Sequence, residues 1–314
     1  MSRFAISCLV AAAPAAAQSA VRTGRRQDGS LRTVNEADWQ ASLARVPDLL
    51  ALAPSQYRSR CERVLRNAPE MGFAQAWQDH MLWRNFFAGQ RQGLYIDIGT
   101  NDPVKVSNTA FFDVCLGWSG VCIEPQKVMQ DRIRAVRPRC QLVPSCVTAE
   151  TNQSTRYGMK GHTIQGVRQF HGCLNLLDAL RGLQPPLHLE NVTIDLLSID
   201  VEGEEPRVLR CLPWRSLDIR LVLIETNKAR DTRSVDAFFH AMGYVNAATF
   251  VWKLKRPHTP QWLDNLYVRL PGGPLVYPPG QPQCDTEDLK LNRFCGPWRA
   301  LPPQLAREWI CDAR

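Results

Sequence analysis

Hydrophobic positions along this chain follow one period up to about Phe87 and another from Leu94 onward. Between Asn35 and Phe87 they recur every three to four residues, the spacing of one helix face. Asn35 is suited to cap a helix that carries Trp39, Leu43 and Val46, and Pro47, Pro54 and Pro69 divide the stretch into short helices. A longer helix is predicted from Ala74 to Phe87, with Trp77, Met81 and Leu82 inward. Beyond Leu94, short continuous apolar runs take over: Leu94–Ile98, Gly120–Ile123, Gln141–Val147, Val192–Ile199 and Ile219–Ile224. Amphipathic segments separate them near Thr109–Leu116, Val128–Val136, Leu174–Leu180, Pro206–Cys211 and Ser234–Met242. Apolar strands alternating with helices predict a parallel sheet covered on both faces. Tyr244–Trp252 and Leu266–Leu270 predict a closing antiparallel hairpin. The expected fold is α/β and doubly wound with an antiparallel edge hairpin. It spans about residues 91–270, preceded by a helical extension (30–90) and followed by an irregular, Pro- and Cys-rich tail (271–314).

With 314 residues, 45% hydrophobic and 22% charged, the chain suits one large domain or a medium domain with extensions. Disorder throughout, a collagen repeat and a coiled-coil rod are excluded. No apolar run reaches the roughly 18 residues of a membrane-spanning helix, so no stable membrane span is expected. Residues 1–20 read as a targeting segment: Arg3, then apolar Phe4 to Ala17, ending in Ala15-Ala16-Ala17. Secretion, or residence in the secretory pathway, is the expectation. An organelle transit peptide is the alternative, because no acid precedes Asp28. Asn152-Gln153-Ser154 and Asn191-Val192-Thr193 are glycosylation sequons that decide little. The net charge of +8 gathers partly at the N-terminus and partly in Lys127, Arg132, Arg134, Arg137 and Arg139, the latter read as a solvated helix face. The 11 cysteines form no C-x-x-C pair. Cys115, Cys122 and Cys146 lie in apolar surroundings and read as small buried fillers. Cys284, Cys295 and Cys311 lie in the tail, where a disulfide would substitute for a missing core.

In sheets of this kind ligands bind outside the carboxyl ends of the strands. The first strand runs into Asp97-Ile98-Gly99-Thr100-Asn101-Asp102-Pro103, where Gly99 permits close backbone approach to a ligand. The second ends in Ile123-Glu124-Pro125, one β-α-β step later, where an acid is placed to accept both hydroxyls of a ribose. No G-x-G-x-x-G turn and no P-loop lysine follows the first strand, so a nucleoside without phosphates fits better than a dinucleotide. S-adenosylmethionine is the common ligand of that kind. Asp97 and Asn101 could meet its ammonium and carboxylate, and Glu124 its ribose; a loop-capping Asp97 is the competing reading. Further along come Asp200-Val201-Glu202-Gly203-Glu204-Glu205 and Ile224-Glu225-Thr226-Asn227. A solvated helix N-terminus accounts for Glu204 and Glu205, whereas Asp200 is expected to point into the cleft. Acids at four strand ends indicate a cleft rather than scatter.

These segments resemble the FkbM family of S-adenosylmethionine-dependent methyltransferases. The similarity lies in residues 95–103, Ser107-Asn108-Thr109, residues 116–125, Asp200-Val201-Glu202-Gly203 and, upstream, Gln75-Ala76-Trp77-Gln78-Asp79. The resemblance implies a Rossmann-like class I methyltransferase sheet. It implies a cofactor site of Asp97, Gly99, Asn101, Asn108 and Glu124, with Asp200 and Glu202 facing sulfonium and acceptor. Pro103 stands where many members carry Gly. Residues 152–173 match no family motif and are where acceptor contacts are expected. The implied reaction is methyl transfer to a hydroxyl oxygen of a glycan or other small molecule. General-base candidates are Asp200, Glu202, His162 and His171. The carboxylates could also bind a divalent cation that orients a diol, although no motif fixes a metal. Two other readings compete. One is a non-catalytic secretory-pathway protein that keeps the fold for partner binding, as the Star relatives look like trafficking factors. The other is a nucleic-acid methyltransferase, disfavoured because the aromatic–proline tetrapeptide of amino-methylating enzymes and a basic stripe interleaved with aromatics are both missing.

Overall fold

The computed structural model describes residues 34–68, 70–148, 151–159, 166–187, 192–212, 214, 217–226, 232–253, 260–269 and 294–295. The proposed leader, the sequon at Asn191, Asn227, His162, Cys284 and Cys311 lie outside the described residues.

The N-terminal extension forms α1 (Glu36–Ala44), α2 (Val46–Leu52), α3 (Arg58–Leu65) and α4 (Gln78–Leu82). The Asn35 side chain accepts the Asp38 N–H at 2.8 Å, the expected cap, and Trp39 is buried. The helix expected from Ala74 to Phe87 starts later, at Gln78, and continues past Leu82 as a π-helical stretch, Trp83–Phe87. Trp77 has φ +69°, which ends any upstream helix, and the chain turns around Asp79 instead. That carboxylate accepts the N–H groups of Phe73 (2.6 Å) and Ala74 (3.1 Å), so the local side chain displaces the helical ladder.

The domain that follows contains β1 (Leu94–Ile98), α5 (Ala110–Val114), β2 (Ser119–Ile123), α6 (Lys127–Val136), β3 (Cys140–Val143), β4 (Gln153–Met159) and β5 (Gly166–Cys173). It continues with α7 (Leu176–Arg181), β6 (Thr193–Ile199), α8 (Glu205–Cys211), β7 (Asp218–Glu225), α9 (Thr232–Ala241), β8 (Tyr244–Lys253), β9 (Pro260–Arg269) and the short β10 (Phe294–Cys295). One sheet has the order β10-β8-β9-β7-β6-β1-β2-β3. Strands β3, β2, β1, β6 and β7 are parallel. The antiparallel hairpin is present, but its second arm, β9, inserts between β7 and β8. Strands β4 and β5 form a separate two-stranded antiparallel excursion.

Side-chain alternation splits the interior into two cores. Tyr95, Cys122, Leu196 and Leu221 face the N-terminal helices with α5 and Ile133 of α6. Ile96, Val121, Leu197 and Val222 face α7, α8 and α9. Both sheet faces are therefore covered, which is why the strands read as unbroken apolar runs.

Three disulfides correct the reading of Cys115, Cys122 and Cys146 as fillers. Cys61–Cys115 staples the helical extension to the domain, Cys122–Cys140 links β2 to β3, and Cys146–Cys173 pins the base of the β4–β5 excursion. All six cysteines are buried. An apolar setting is common to a thiol and to half a disulfide, so burial alone could not separate them.

Candidate active site

Every parallel strand delivers its carboxyl end to the same sheet edge, and four of the five carry an acid there. β1 ends in a turn with two residues at positive φ, Gly99 (+85°) and Asn101 (+53°). Gly99 is required by the fold as much as by any ligand. A Cβ there would sit 1.8 Å from the Asp200 carbonyl oxygen, because Asp200 N–H is bonded to the Ile98 carbonyl at 3.0 Å. The turn after β1 and the turn after β6 are thus packed backbone to backbone.

Glu124, just past β2, closes over the same turn. Its Oε2 accepts the Asn101 N–H at 2.8 Å and its Oε1 accepts the Gln126 N–H at 2.7 Å. Burial pushes this carboxyl up to about 7, opposed by the two backbone bonds and aided by repulsion from Asp97. Beside it, Asn101 Oδ1 and Gln126 Oε1 are buried acceptors with no donor. Gln126 was not singled out from the sequence. Its position two residues after Glu124, on the same loop, was the available signal.

Asp97 is placed differently from the expectation. Its Oδ2 accepts from the Thr109 hydroxyl and from Arg137 at 3.3 Å. Arg137 also reaches Asp113 at 3.3 Å, donates to Thr109 at 2.7 Å and lies over the Tyr95 ring. Arg137 is wholly buried, which corrects its assignment to a solvated helix face; only its position past the last turn of α6 lets it fold inward. Burial alone would lower its pKa, yet Tyr95, Asp97 and Asp113 raise it, so the guanidinium stays charged. Asp97 therefore braces the strand end from inside. Of the Ser107-Asn108-Thr109 segment, Ser107 Oγ caps the Ala110 N–H at 3.1 Å, Thr109 joins the Arg137 network, and Asn108 is half-buried ahead of α5.

At β6 and β7 the structure groups Asp200, Glu205 and Glu225, whose nearest carboxylate oxygens all lie within 4.8 Å of one another. Glu205 corrects the expectation of a solvated helix start. It is fully buried, and its Oε1 accepts the N–H groups of Val201 (2.9 Å) and Gly203 (3.1 Å). An acid in the first turn that reaches back to the preceding loop is the readable signal. Burial, then repulsion from Glu225, raises its carboxyl to about 7. Glu202 occupies the intervening turn at φ +60°, half-buried and outside this cluster. Glu225 is paired across the sheet with Asp264, which accepts from Gln78 at 2.6 Å. The extension thereby reaches the same edge. His171 is exposed and contacts Ser154 at 2.7 Å, on the β4–β5 excursion.

A parallel sheet ordered in this way, with an inverted strand inserted next to its last parallel member and polar turns at one edge, defines a class I methyltransferase fold. Residues 186–248, which contain β6 and the acid turn, match the family model for the methyltransferase FkbM domain. Among solved structures, methyltransferase FkbM from Methylobacillus flagellatus KT is similar at 14% identity with a TM-score of 0.40. That alignment covers 74% of this chain, which spans only 60% of the Methylobacillus protein. The N-terminal domain of human METTL16 is similar at 10% identity over 74% of this chain and 93% of its own, with a TM-score of 0.36. No curated protein matches the sequence.

Proposed function

We propose that this protein transfers the methyl group of S-adenosylmethionine to a hydroxyl oxygen of a glycan or another small molecule. The observation that carries the reading is the pairing of Asn101 and Glu124 at neighbouring strand ends. Asn101 Oδ1 is a buried acceptor without a donor, suited to an ammonium group. Each Glu124 oxygen accepts one backbone N–H and keeps a further lone pair for a ribose hydroxyl. Gln126 Oε1 offers a third acceptor beside them, matched to an exocyclic amine. These residues fit the cofactor, and Asp97, whose Oδ2 is held by Thr109 and Arg137, supports the strand end beside them.

The cofactor supplies a methyl group already activated on sulfonium. The chain's part is to hold donor and acceptor in line, a contribution of roughly 7–11 kcal/mol in well-oriented reactions. Asp200 and Glu202, in the turn packed against Gly99, are the residues we assign to the acceptor. A carboxylate that takes the hydroxyl proton adds about 10²–10⁴ in rate. Three disulfides among the described residues favour an oxidising compartment, in keeping with a secretory-pathway location.

The test is mass spectrometry of the purified full chain for retained S-adenosylmethionine or its demethylated product, with calorimetry of added cofactor. Asn101→Gly keeps the positive φ at ease while removing Oδ1, and should weaken binding. Wild-type protein that neither retains nor binds the cofactor ends the proposal, and co-purification of a protein cargo without turnover would favour the trafficking alternative.

A further inference from the structure

The cluster of Asp200, Glu205 and Glu225 carries chemistry that cofactor binding does not use. Glu205 is the informative member. One of its oxygens, Oε1, is taken by two backbone N–H groups. The other, Oε2, is buried and accepts no hydrogen bond from the described residues. A buried carboxylate oxygen without a donor is costly to leave alone, and here two further carboxylates converge on it within 4.8 Å.

We propose that Asp200, Glu205 and Glu225 form a binding site for a hard divalent cation of calcium size. An all-oxygen, all-carboxylate donor set selects such ions over zinc or copper. The number of carboxylates selects within that class. Calcium is held by several carboxylates in flexible geometry, whereas magnesium demands near-ideal octahedral geometry and is usually held by one or two carboxylates with several waters. Three carboxylates whose nearest oxygens lie within 4.8 Å of one another match the former. Each ligand is on a firm support: Asp200 is tied through its N–H to β1, Glu205 is anchored by its Oε1, and Glu225 is the last residue of β7. With three protein ligands, an ion that takes 6–8 oxygens keeps open positions. Those positions face the edge where acceptor hydroxyls would arrive, so a bound ion would favour acceptors with adjacent hydroxyls.

Cation binding stands apart from the methyl-transfer reading, because it is measured with no S-adenosylmethionine present. The full-length protein is stripped with a chelator and titrated calorimetrically with calcium chloride, then with magnesium chloride. Wild-type protein should bind one calcium ion, more tightly than magnesium, with a rise in melting temperature. Glu205→Gln preserves the Oε1 acceptor and replaces the orphan oxygen with an amide nitrogen; it should weaken calcium binding by at least about tenfold. Glu225→Gln should do the same, which guards against a folding defect in the first variant. Glu204→Gln removes a neighbouring acid that pairs with Arg207 outside the cluster, and should bind as wild type does. Equal binding by the Glu204 and Glu205 variants, or wild-type protein with neither heat nor melting shift in millimolar calcium, overturns the proposal.

Discussion

Replacing Glu124 by Gln offers a direct probe of the proposed cofactor site, because there one side chain would control both affinity and its dependence on pH. With no ligand, burial raises this carboxyl from 4.5 to about 7. Ribose hydroxyls donate to the ionised form, so ligand binding selects it. Near pH 6 roughly a tenth of the protein holds Glu124 ionised, and the apparent dissociation constant should then be about tenfold weaker than near pH 8. Affinity therefore rises with pH through about 7. In Glu124→Gln one backbone N–H, from Asn101 or Gln126, loses its acceptor and the charge is gone. A loss of about 1.5–3 kcal/mol, about 10–100-fold in affinity, is expected, with this pH dependence removed. The assay is calorimetry with S-adenosylmethionine and with 5′-methylthioadenosine, which lacks the amino-acid end and so has no titration of its own in this range. The proton linkage also has a stability side. The folded carboxyl binds its proton more tightly than the unfolded chain does, so folding stability falls as pH rises from 4.5 to about 7. The shift of about 2.5 units corresponds to roughly 3 kcal/mol. Affinity for methylthioadenosine that is flat between about pH 6 and pH 8 in the wild type, or unchanged in the variant, refutes the reasoning.

Gly99→Ala places a Cβ 1.8 Å from the Asp200 carbonyl at φ +85°, so the two turns must separate; a loss of at least about 2 kcal/mol in chemical denaturation is expected, and wild-type stability would contradict the close approach. Arg137→Met leaves Asp97 and Asp113 buried without their partner and should cost about 3–5 kcal/mol, read as a fall in denaturation midpoint. Breaking Cys146–Cys173 by paired Ser substitutions should cost about 2–4 kcal/mol and raise hydrogen exchange first in β4 and β5; exchange confined to other strands would show that the excursion does not depend on this bond.

The strands were the most legible part of the sequence. The run Leu94–Ile98 is β1 without adjustment, and the runs that became β2, β6 and β7 differ by a residue at one or both ends. Buried parallel strands announce themselves because both faces are apolar. The insertion of β9 between β7 and β8 was not legible, since both arms of the hairpin are apolar and neither encodes which one pairs with β7. Strands β4 and β5 left no signal for the converse reason: Gln153–Met159 and Gly166–Cys173 carry mostly polar residues and pair only with each other. The shortened helix before β1 turned on a single carboxylate, Asp79, that took over backbone donors from the helix.

The acids show where local reading stops. Asp97, Glu124, Asp200 and Glu225 all occupy strand ends, and a pattern along the chain treats them alike. Their roles diverge through partners distant in sequence. Arg137 draws Asp97 into the interior, whereas Glu124 is held by backbone N–H groups that leave its charge directed at the turn. Glu205 inverts the same logic, since a first-turn acid that looks solvated is buried by reaching back across Gly203. A carboxylate's role here is set by what holds it. Asp97 is held through Oδ2 by the Thr109 hydroxyl and the Arg137 guanidinium, whereas Glu205 is held through Oε1 by backbone N–H groups, and among the described residues no donor reaches its Oε2. Substitutions at the two residues should accordingly separate: Asp97→Asn should act mainly on stability, and Glu205→Gln mainly on what the site binds.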